Sequence, residues 1–215
     1  MARRYDCGDP TDRKTGLREA ASAVRRGELV VLPTDTVYGI GADAFSIEGV
    51  ASLLEAKGRG RSMPTPVLVG SPNTLHGLVT DLSEAAWELV DAFWPGPLTI
   101  VARHQPSLTW DLGDTRGTVA IRMPLHPVAI ELLTEVGPMG VSSANLTGHP
   151  APQDCDEALD MLGDSVSVYL DGGRTPRNIP SSIVDVTGRT PVLLRAGALS
   201  AEQLREVVPD LEVAP

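Results

Sequence analysis

The sequence predicts an α/β domain with a twisted mixed β-sheet and flanking helices. Short apolar runs typical of buried strands alternate with amphipathic segments of helical period, and this interleaving is typical of layered α/β folds. Two apolar runs joined by Thr187-Gly188-Arg189 resemble a hairpin, which indicates a mixed rather than a purely parallel sheet. The length of 215 residues suits one domain, which we expect over residues 10–208, with a frayed tail over 209–215.

The helix predictions rest on apolar spacing and on end signals. Ser46, Ser83 and Ser200 are candidate N-caps, and Gln203 completes a capping box with Ser200. Gly27 is placed to end the first helix. Helices are predicted over 13–26, 46–57, 83–93, 127–136 and 154–162, and from Ser71 and Ser200 onward.

The strand predictions rest on short apolar runs between turn residues. Strands are predicted over 29–33, 66–69, 98–103, 118–123, 139–141, 166–170, 183–186 and 191–194.

Composition restricts the class of protein. A formal net charge of −10 argues against general nucleic-acid binding, because phosphate contacts dominate that affinity. We expect a cytoplasmic protein without membrane association, since the N terminus lacks an apolar signal core and no apolar run reaches the roughly 18 residues of a membrane helix. Cys7 and Cys155 have no metal-ligand spacing, which also favours a reducing compartment.

One basic cluster stands out in this acidic sequence. Lys57, Arg59 and Arg61 are interleaved with Gly58 and Gly60. Glycine spacers let backbone amides approach an anion closely, and no acidic residue lies within the cluster to neutralise it. The cluster is either a solvated loop or part of a site for a small polyanion.

Polar or cationic side chains also follow several predicted strands. Thr34, Arg122, Ser142-Ser143 and Arg195 each lie at or just beyond the end of an apolar run, and Asn145 follows closely. Together they could line one crevice at a sheet edge, where arginine suits the recognition of carboxylate or phosphate. Such a site would stabilise developing negative charge by positioned cations rather than by a side-chain nucleophile.

Other kinds of catalytic site have little support. The sequence contains no G-x-S-x-G elbow and no Walker A motif. The four histidines have no metal-ligand spacing, so we predict no protein-bound metal.

A set of motifs resembles one family, the YrdC-like threonylcarbamoyl-AMP synthases of tRNA modification. The matching stretches follow the family's order over about residues 29–199. They are LPTDTVYGIGADA, EAKGRGR, FWPGPLTIV, VAIRMPLHP, SSANLTGHPAP, PSSIVDV and PVLLRAGAL.

The resemblance implies a single YrdC-like domain with a large concave face that binds L-threonine and ATP. The implied reaction joins L-threonine, bicarbonate and ATP into threonylcarbamoyl-AMP and releases pyrophosphate, with Mg²⁺ accompanying ATP. A separate transferase complex then modifies the adenosine next to the tRNA anticodon, which makes tRNA an indirect partner.

Motif positions imply roles for individual residues. The threonine contacts would come from Thr34, Arg122, Ser143 and Ser181. The ATP contacts would come from Lys57, Arg59, Arg61, Thr118, Asn145, Gln153 and Arg195. Lys57 and Arg59 are the catalytic candidates, because leaving pyrophosphate needs counter-charge, which these cations, Arg61 and Mg²⁺ could supply.

The sequence departs from the family pattern in three respects. Gly60 replaces a proline found in many members, and no histidine lies between Arg61 and Ser71. Gln153 stands where many relatives have threonine. The chain also resembles the short form of the family, without the extra C-terminal domain.

Two alternative functions stay open at this point. One is an RNA-binding module without chemistry, which the net charge of −10 disfavours. The other is a paralogous enzyme of the same fold that forms a different carbamoyl-adenylate.

Overall fold

The computed structural model describes residues 2–176 and 179–215, which form one mixed sheet with helices on both faces. The strands are β1 (Arg3–Asp6), β2 (Val30–Leu32), β3 (Gly39–Asp43), β4 (Val67–Leu68), β5 (Leu98–Arg103), β6 (Thr118–Arg122), β7 (Met139–Ser143), β8 (Val168–Asp171), β9 (Ser182–Asp185), β10 (Val192–Arg195) and β11 (Glu212–Val213). The helices are α1 (Pro10–Arg25), α2 (Ile47–Ala56), α3 (Leu75–Leu78), α4 (Glu84–Phe93), α5 (Pro127–Val136), α6 (Cys155–Leu162) and α7 (Ala201–Arg205).

The sheet confirms the predicted α/β class and its mixed character. In the described residues the strand order is β1-β8-β2-β3-β7-β4-β6-β5-β9-β10-β11. β2 is parallel to β8 but antiparallel to β3, and β9 is parallel to β5 but antiparallel to β10. The predicted C-terminal hairpin is therefore present as β9 and β10.

The predicted caps begin the helices where the sequence indicates. Ser46 Oγ accepts a hydrogen bond from Gly49 N at 3.0 Å at the start of α2, and Ser83 caps α4 in the same way. Ser200 and Gln203 form the predicted capping box of α7. These local bonds satisfy backbone donors that have no partner inside the helix.

The two halves of the sheet are covered differently. Around β2 both faces are buried: Val30 and Leu32 pack with α1 and α5, whereas Val31 packs with α2 and α6. In the second half, Leu98 and Ile100 of β5 face a core that includes α4 and α7. The opposite face of β5 and β6 lines an open cavity, which leaves room for a ligand on the sheet itself.

The ends of the chain differ from the predicted domain limits. β1 lies before residue 10 and pairs in parallel with β8. The frayed tail predicted over 209–215 is wrong for Glu212–Val213, which pairs in parallel with β10 next to the buried Leu211. β1, β3 and β11 have polar or glycine-rich sequences, so a prediction based on apolar runs does not identify them as strands.

The two cysteines both lie in the hydrophobic core. Cys7 and Cys155 are buried free thiols, and burial raises the pKa of both. Within the described parts of the chain, no helix is long and apolar enough to cross a membrane.

The docked tail predicts a measurable effect on stability. Leu211 is 2% exposed in the core that includes α7, so Leu211→Ala should lower the free energy of unfolding by about 2–5 kcal/mol. Urea denaturation followed by circular dichroism measures this loss. Val213 is 51% exposed, so Val213→Ala is the matched control with little effect; equal behaviour of the two variants would show a tail that is not docked.

Candidate active site

A cavity of about 430 Å³, lined by both polar and apolar residues, lies over the second half of the sheet. Its floor is built by the residues of β5 and β6 that alternate away from the core, Thr99 and Val101 on β5 and Ala120 and Arg122 on β6. The ends of β2, β7 and β10 and the chain just before β9 complete the wall. The predicted site residues that line it are Thr34, Arg59, Arg122, Ser143, Ser181 and Arg195.

The polar stretch after β2 forms a hydrogen-bonded turn rather than a solvated loop. Thr34 Oγ1 donates to the carbonyl oxygen of Val37 at 2.6 Å and accepts from Thr36 N at 3.1 Å. Gly39 is needed where β3 begins, because a Cβ there would lie 2.7 Å from Val141 Cγ1. The turn therefore places the Thr34 and Thr36 hydroxyls at the cavity against a closely packed sheet.

Arg122 is a buried cation of the cavity, with its side chain 8% exposed. Its Nε donates to the carbonyl oxygen of Gly96 at 2.9 Å, its Nη1 to Thr36 Oγ1 at 2.9 Å and its Nη2 to Asp35 Oδ1 at 2.5 Å. Burial lowers the pKa of this guanidinium, and the Asp35 carboxylate opposes that shift. Arg122 thus joins the Thr-Asp-Thr turn, the Trp-Pro-Gly-Pro turn and the end of β6.

The basic cluster divides into one buried cation, Lys57, one half-buried cation, Arg59, and one exposed cation, Arg61. Lys57 Nζ donates to the carbonyl oxygens of Ser143 and Asn145, the latter at 2.6 Å. Burial, assisted by the positive charge of Arg59, lowers the pKa of Lys57 to about 8. Arg59 Nη1 donates to Ser142 Oγ at 2.8 Å, and burial lowers its pKa as well.

Arg61 points away from the cavity. It is exposed and makes a two-point ion pair with Asp111, with N–O distances of 3.0 and 2.7 Å. This ion pair raises the pKa of Arg61 and lowers that of Asp111. Arg61 is therefore the member of the cluster whose charge is already neutralised.

Ser181 and Arg195 form the opposite wall. Arg195 Nη2 donates to the carbonyl oxygen of Ser181 at 2.7 Å, and the Ser181 and Thr99 hydroxyls are 2.8 Å apart. Gly197 permits this approach, since a Cβ at that position would lie 2.3 Å from the carbonyl oxygen of Pro180. Burial lowers the pKa of Arg195.

Lys57 and three further predicted residues lie beside the cavity rather than in its lining. Asn145 Nδ2 donates to the carbonyl oxygens of Leu146 and His149, and its buried Oδ1 has no partner in the described structure. Thr118 shares the cavity face of β6 with Ala120 and Arg122, two and four residues away. The backbone of Gln153 bonds to Glu157 and Thr175, so it supports the neighbouring loop.

The residues predicted to contact a ligand do not include three polar residues of this site, Asp35, Thr36 and Thr99. Thr36 lines the cavity beside the predicted Thr34, so adjacency in the motif could have indicated it, and Ser142 lines it as its place beside Ser143 predicts. Thr99 lies inside an apolar strand, where only knowledge of the exposed face identifies it.

Most cations in and beside the cavity lack a carboxylate partner. Within residues 2–176 and 179–215, the hydrogen-bond acceptors of Lys57, Arg59 and Arg195 are carbonyl and hydroxyl oxygens, and Arg122 is the cavity cation that pairs with a carboxylate. A buried cation such as Lys57 or a half-buried one such as Arg59 is expensive unless an anion compensates it. The fold and the site therefore define an α/β protein that binds an anionic small molecule on the open face of its sheet.

A larger cavity of about 620 Å³ lies between α1 and α5. Its charged residues are already paired, since Arg25 Nη2 lies 2.5 Å from Glu135 Oε1 and Arg18 lies 3.9 Å from Glu19. The smaller polar cavity is therefore the better candidate for an anionic ligand.

Comparison with known proteins identifies the family. The model of the Sua5/YciO/YrdC family, described as "Telomere recombination", matches residues 22–197. The chain belongs to this family.

Curated relatives in the family share a name. A protein of Mycobacterium tuberculosis, provisionally named a threonylcarbamoyl-AMP synthase, is 58% identical over 208 residues, which are 97% of this chain and 96% of the relative. The threonylcarbamoyl-AMP synthase of Bacillus subtilis is 36% identical over 92% of this chain, which spans 58% of that longer protein.

Solved structures agree with the fold. Sua5 of Pyrococcus abyssi complexed with L-threonine superposes with a TM-score of 0.92 at 32% identity, and the match covers 100% of this chain and 63% of Sua5. YciO of Escherichia coli, at 23% identity and a TM-score of 0.84, supports the fold alone.

The pKa of Lys57 predicts a pH-dependent affinity for polyanions. An anion beside Lys57 stabilises its protonated form, so binding takes up a proton above the free pKa of about 8, and affinity should fall as pH rises through that value. Calorimetric titration with tripolyphosphate between pH 6 and 10 measures this. Lys57→Met supplies the reference profile for the titration of the ligand itself; identical profiles for both proteins would exclude Lys57 from the anion site.

Proposed function

We propose that the protein is an L-threonylcarbamoyladenylate synthase. It converts L-threonine, bicarbonate and ATP into threonylcarbamoyl-AMP, pyrophosphate and water. The observation that carries the proposal is the set of cations without carboxylate partners in and beside the cavity on the open face of the sheet. The names of the relatives and the threonine-bound Sua5 structure support the same function.

The amino acid occupies the end of the cavity at Arg122 in this proposal. The guanidinium has three protein acceptors and five N–H groups, so two N–H groups are free to bind a substrate carboxylate. The hydroxyls of Thr34 and Ser181 and the neighbouring Ser143 are the candidate partners of the threonine amine and hydroxyl. They compensate for the histidine that the chain lacks between Arg61 and Ser71.

The nucleotide occupies the end at the unpaired cations. Lys57, Arg59 and Arg195 bind the phosphates, and Asn145 offers a free buried acceptor beside them. Thr118, Gln153 and Arg61 stay candidate ATP contacts, the last only if ATP displaces Asp111. The described residues contain no group of three or more His, Cys, Asp or Glu side chains that could hold a metal ion, so we propose that Mg²⁺ enters bound to ATP.

The chemistry then requires positioning and charge rather than a protein nucleophile. The threonine amine reacts with bicarbonate to give a carbamate and water. A carbamate oxygen attacks the α-phosphorus, and the bond from that phosphorus to pyrophosphate breaks. Lys57 and Arg59 stabilise the charge that develops on the leaving pyrophosphate.

The size of the cavity favours an enzyme over an RNA-binding module. A volume of about 430 Å³ lies in the range of small-molecule sites, and two of the unpaired cations, Arg59 and Arg195, line it. We propose that the intermediate is released to a threonylcarbamoyl transferase complex in the cytoplasm, which makes tRNA an indirect partner.

Isotope tracing tests the activity directly. The protein is incubated with ATP, Mg²⁺, L-threonine and ¹³C-bicarbonate, and the products are separated at low temperature for mass analysis. We expect one ¹³C atom in threonylcarbamoyl-AMP and an equal amount of pyrophosphate. Pyrophosphate release without a labelled adenylate, or an adenylate that forms without threonine, points to the paralogous carbamoyl-adenylate activity.

The split basic cluster predicts unequal roles for two arginines. Arg59→Met should lower kcat/KM by about 10–100-fold, because a buried charged hydrogen-bond donor contributes about 1.5–3 kcal/mol. Arg61→Met is the matched control and should change kcat/KM far less, since its charge is neutralised by Asp111. Continuous pyrophosphate release measures both; a larger loss in the Arg61 variant would reverse the assignment.

The hydroxyl groups that line the cavity predict which amino acid the enzyme prefers as substrate. Threonine should be the preferred substrate. Serine lacks one methyl, which is worth about 1–3 kcal/mol, so it should be a slow substrate. Valine lacks the hydroxyl and leaves the hydroxyl site unfilled, which discriminates more strongly, so it should be much poorer. Pyrophosphate release is compared for the three amino acids at equal concentration. Turnover of valine at the rate of threonine is incompatible with hydroxyl contacts from Thr34 and Ser181.

A further inference from the structure

Asp35 stands out among the acidic residues because it is nearly buried against a cation of the cavity. Its side chain is 12% exposed, and Oδ1 lies 2.5 Å from Arg122 Nη2. The same oxygen accepts a hydrogen bond from the backbone N of Leu125 at 2.8 Å. Asp35 is therefore held by the chain that follows β6 as well as by the guanidinium.

The three acceptors of Arg122 come from two turns in separate parts of the fold. Gly96 belongs to the turn before β5, and Asp35 and Thr36 belong to the turn after β2. Because a guanidinium is planar, acceptors at Nε, Nη1 and Nη2 fix its rotation and its tilt. The direction of the two remaining N–H groups follows from these contacts.

Asp35 has two opposing effects on a substrate carboxylate. Its negative charge reduces the attraction of Arg122 for that carboxylate, and its hydrogen bond removes rotational freedom that binding would otherwise have to remove. A residue that served only as counter-ion would weaken anion binding, so variants without it would bind the substrate more tightly. By contrast, variants that lack a residue that orients the guanidinium would bind the substrate more weakly.

We propose that Asp35 is a positioning residue that holds Arg122 with its free N–H groups turned into the cavity, toward the carboxylate of the amino-acid substrate. The inference rests on the proposed function for the identity of that substrate. Asp35 itself does not line the cavity, so it acts through Arg122. The role explains why one cation of the site is paired while Lys57, Arg59 and Arg195 are not.

Two substitutions separate geometry from charge. Asp35→Ala removes Oδ1 and should weaken L-threonine binding by about tenfold or more, since a hydrogen bond to a charged group contributes about 1.5–3 kcal/mol. Asp35→Asn keeps that oxygen and removes only the charge, so it should weaken binding by less than about threefold. ATP affinity should change less than about twofold in both. Calorimetric titration with each ligand alone measures these values.

A double-mutant cycle with Arg122 distinguishes a positioning role of Asp35 from a general structural role. In an Arg122→Ala background, Asp35→Ala should cause no additional loss of threonine affinity. Asp43→Ala is the matched control, because Asp43 also accepts a backbone hydrogen bond, from Phe45 N at 2.9 Å, but has no contact with Arg122. It should leave the affinity unchanged.

Each contrary result overturns the positioning role. Tighter threonine binding in Asp35→Ala, equal losses in the Ala and Asn variants, additive losses with Arg122→Ala, or an equal loss of ATP affinity all contradict it. If Asp35→Ala melts at the assay temperature, Arg122→Lys, which keeps the charge but not the planar fork, should show the same selective loss for threonine. Wild-type affinity in that variant contradicts the proposal equally.

A ligand-independent measurement separates this inference from the proposed function. In ¹⁵N spectra the Nη groups of Arg122 should give separate signals in the wild-type protein and one averaged signal in Asp35→Ala. If the wild-type protein shows separate signals but does not bind threonine, the proposed function fails and the positioning of Arg122 stands. An averaged signal in the wild-type protein overturns the positioning role.

Discussion

Positive charge without carboxylate partners is the constraint on which the active site depends. Lys57, Arg59 and Arg195 are bound by carbonyl and hydroxyl oxygens, and burial lowers the pKa of each. A fold selected for stability alone would pair these groups with carboxylates or replace them with apolar side chains. The acidic chain, with a net charge of −10, instead concentrates unpaired cations at one place, where a polyanion compensates them.

The sheet makes this arrangement possible because its two halves are covered unequally. Helices bury both faces near β2, so that half supplies rigidity. Alternation along β5 then places Leu98 and Ile100 in the core and Thr99 and Val101 on the open face. Polar side chains at the ends of neighbouring strands meet over this face, which unites residues that are far apart in the chain.

Local signals predicted most of the fold, and the errors have physical causes. The caps at Ser46, Ser83 and Ser200 and the hairpin of β9 and β10 depend on short-range chemistry that a sequence displays directly. The pairing of Glu212–Val213 depends on a distant partner strand, so its polar sequence resembles a loose tail. Likewise, the KGRGR motif does not reveal which cations turn inward, because Asp111, which neutralises Arg61, lies 50 residues away.

The location of the triphosphate tests the central claim most directly. A crystal structure with L-threonine and a non-hydrolysable ATP analogue should show phosphate oxygens about 3 Å from Lys57 Nζ and from the guanidinium groups of Arg59 and Arg195. The threonine carboxylate should contact the guanidinium of Arg122, and Asp35 should stay bound to the other side of that guanidinium. Phosphates bound in the groove between α1 and α5, or threonine bound away from Arg122, would contradict the account.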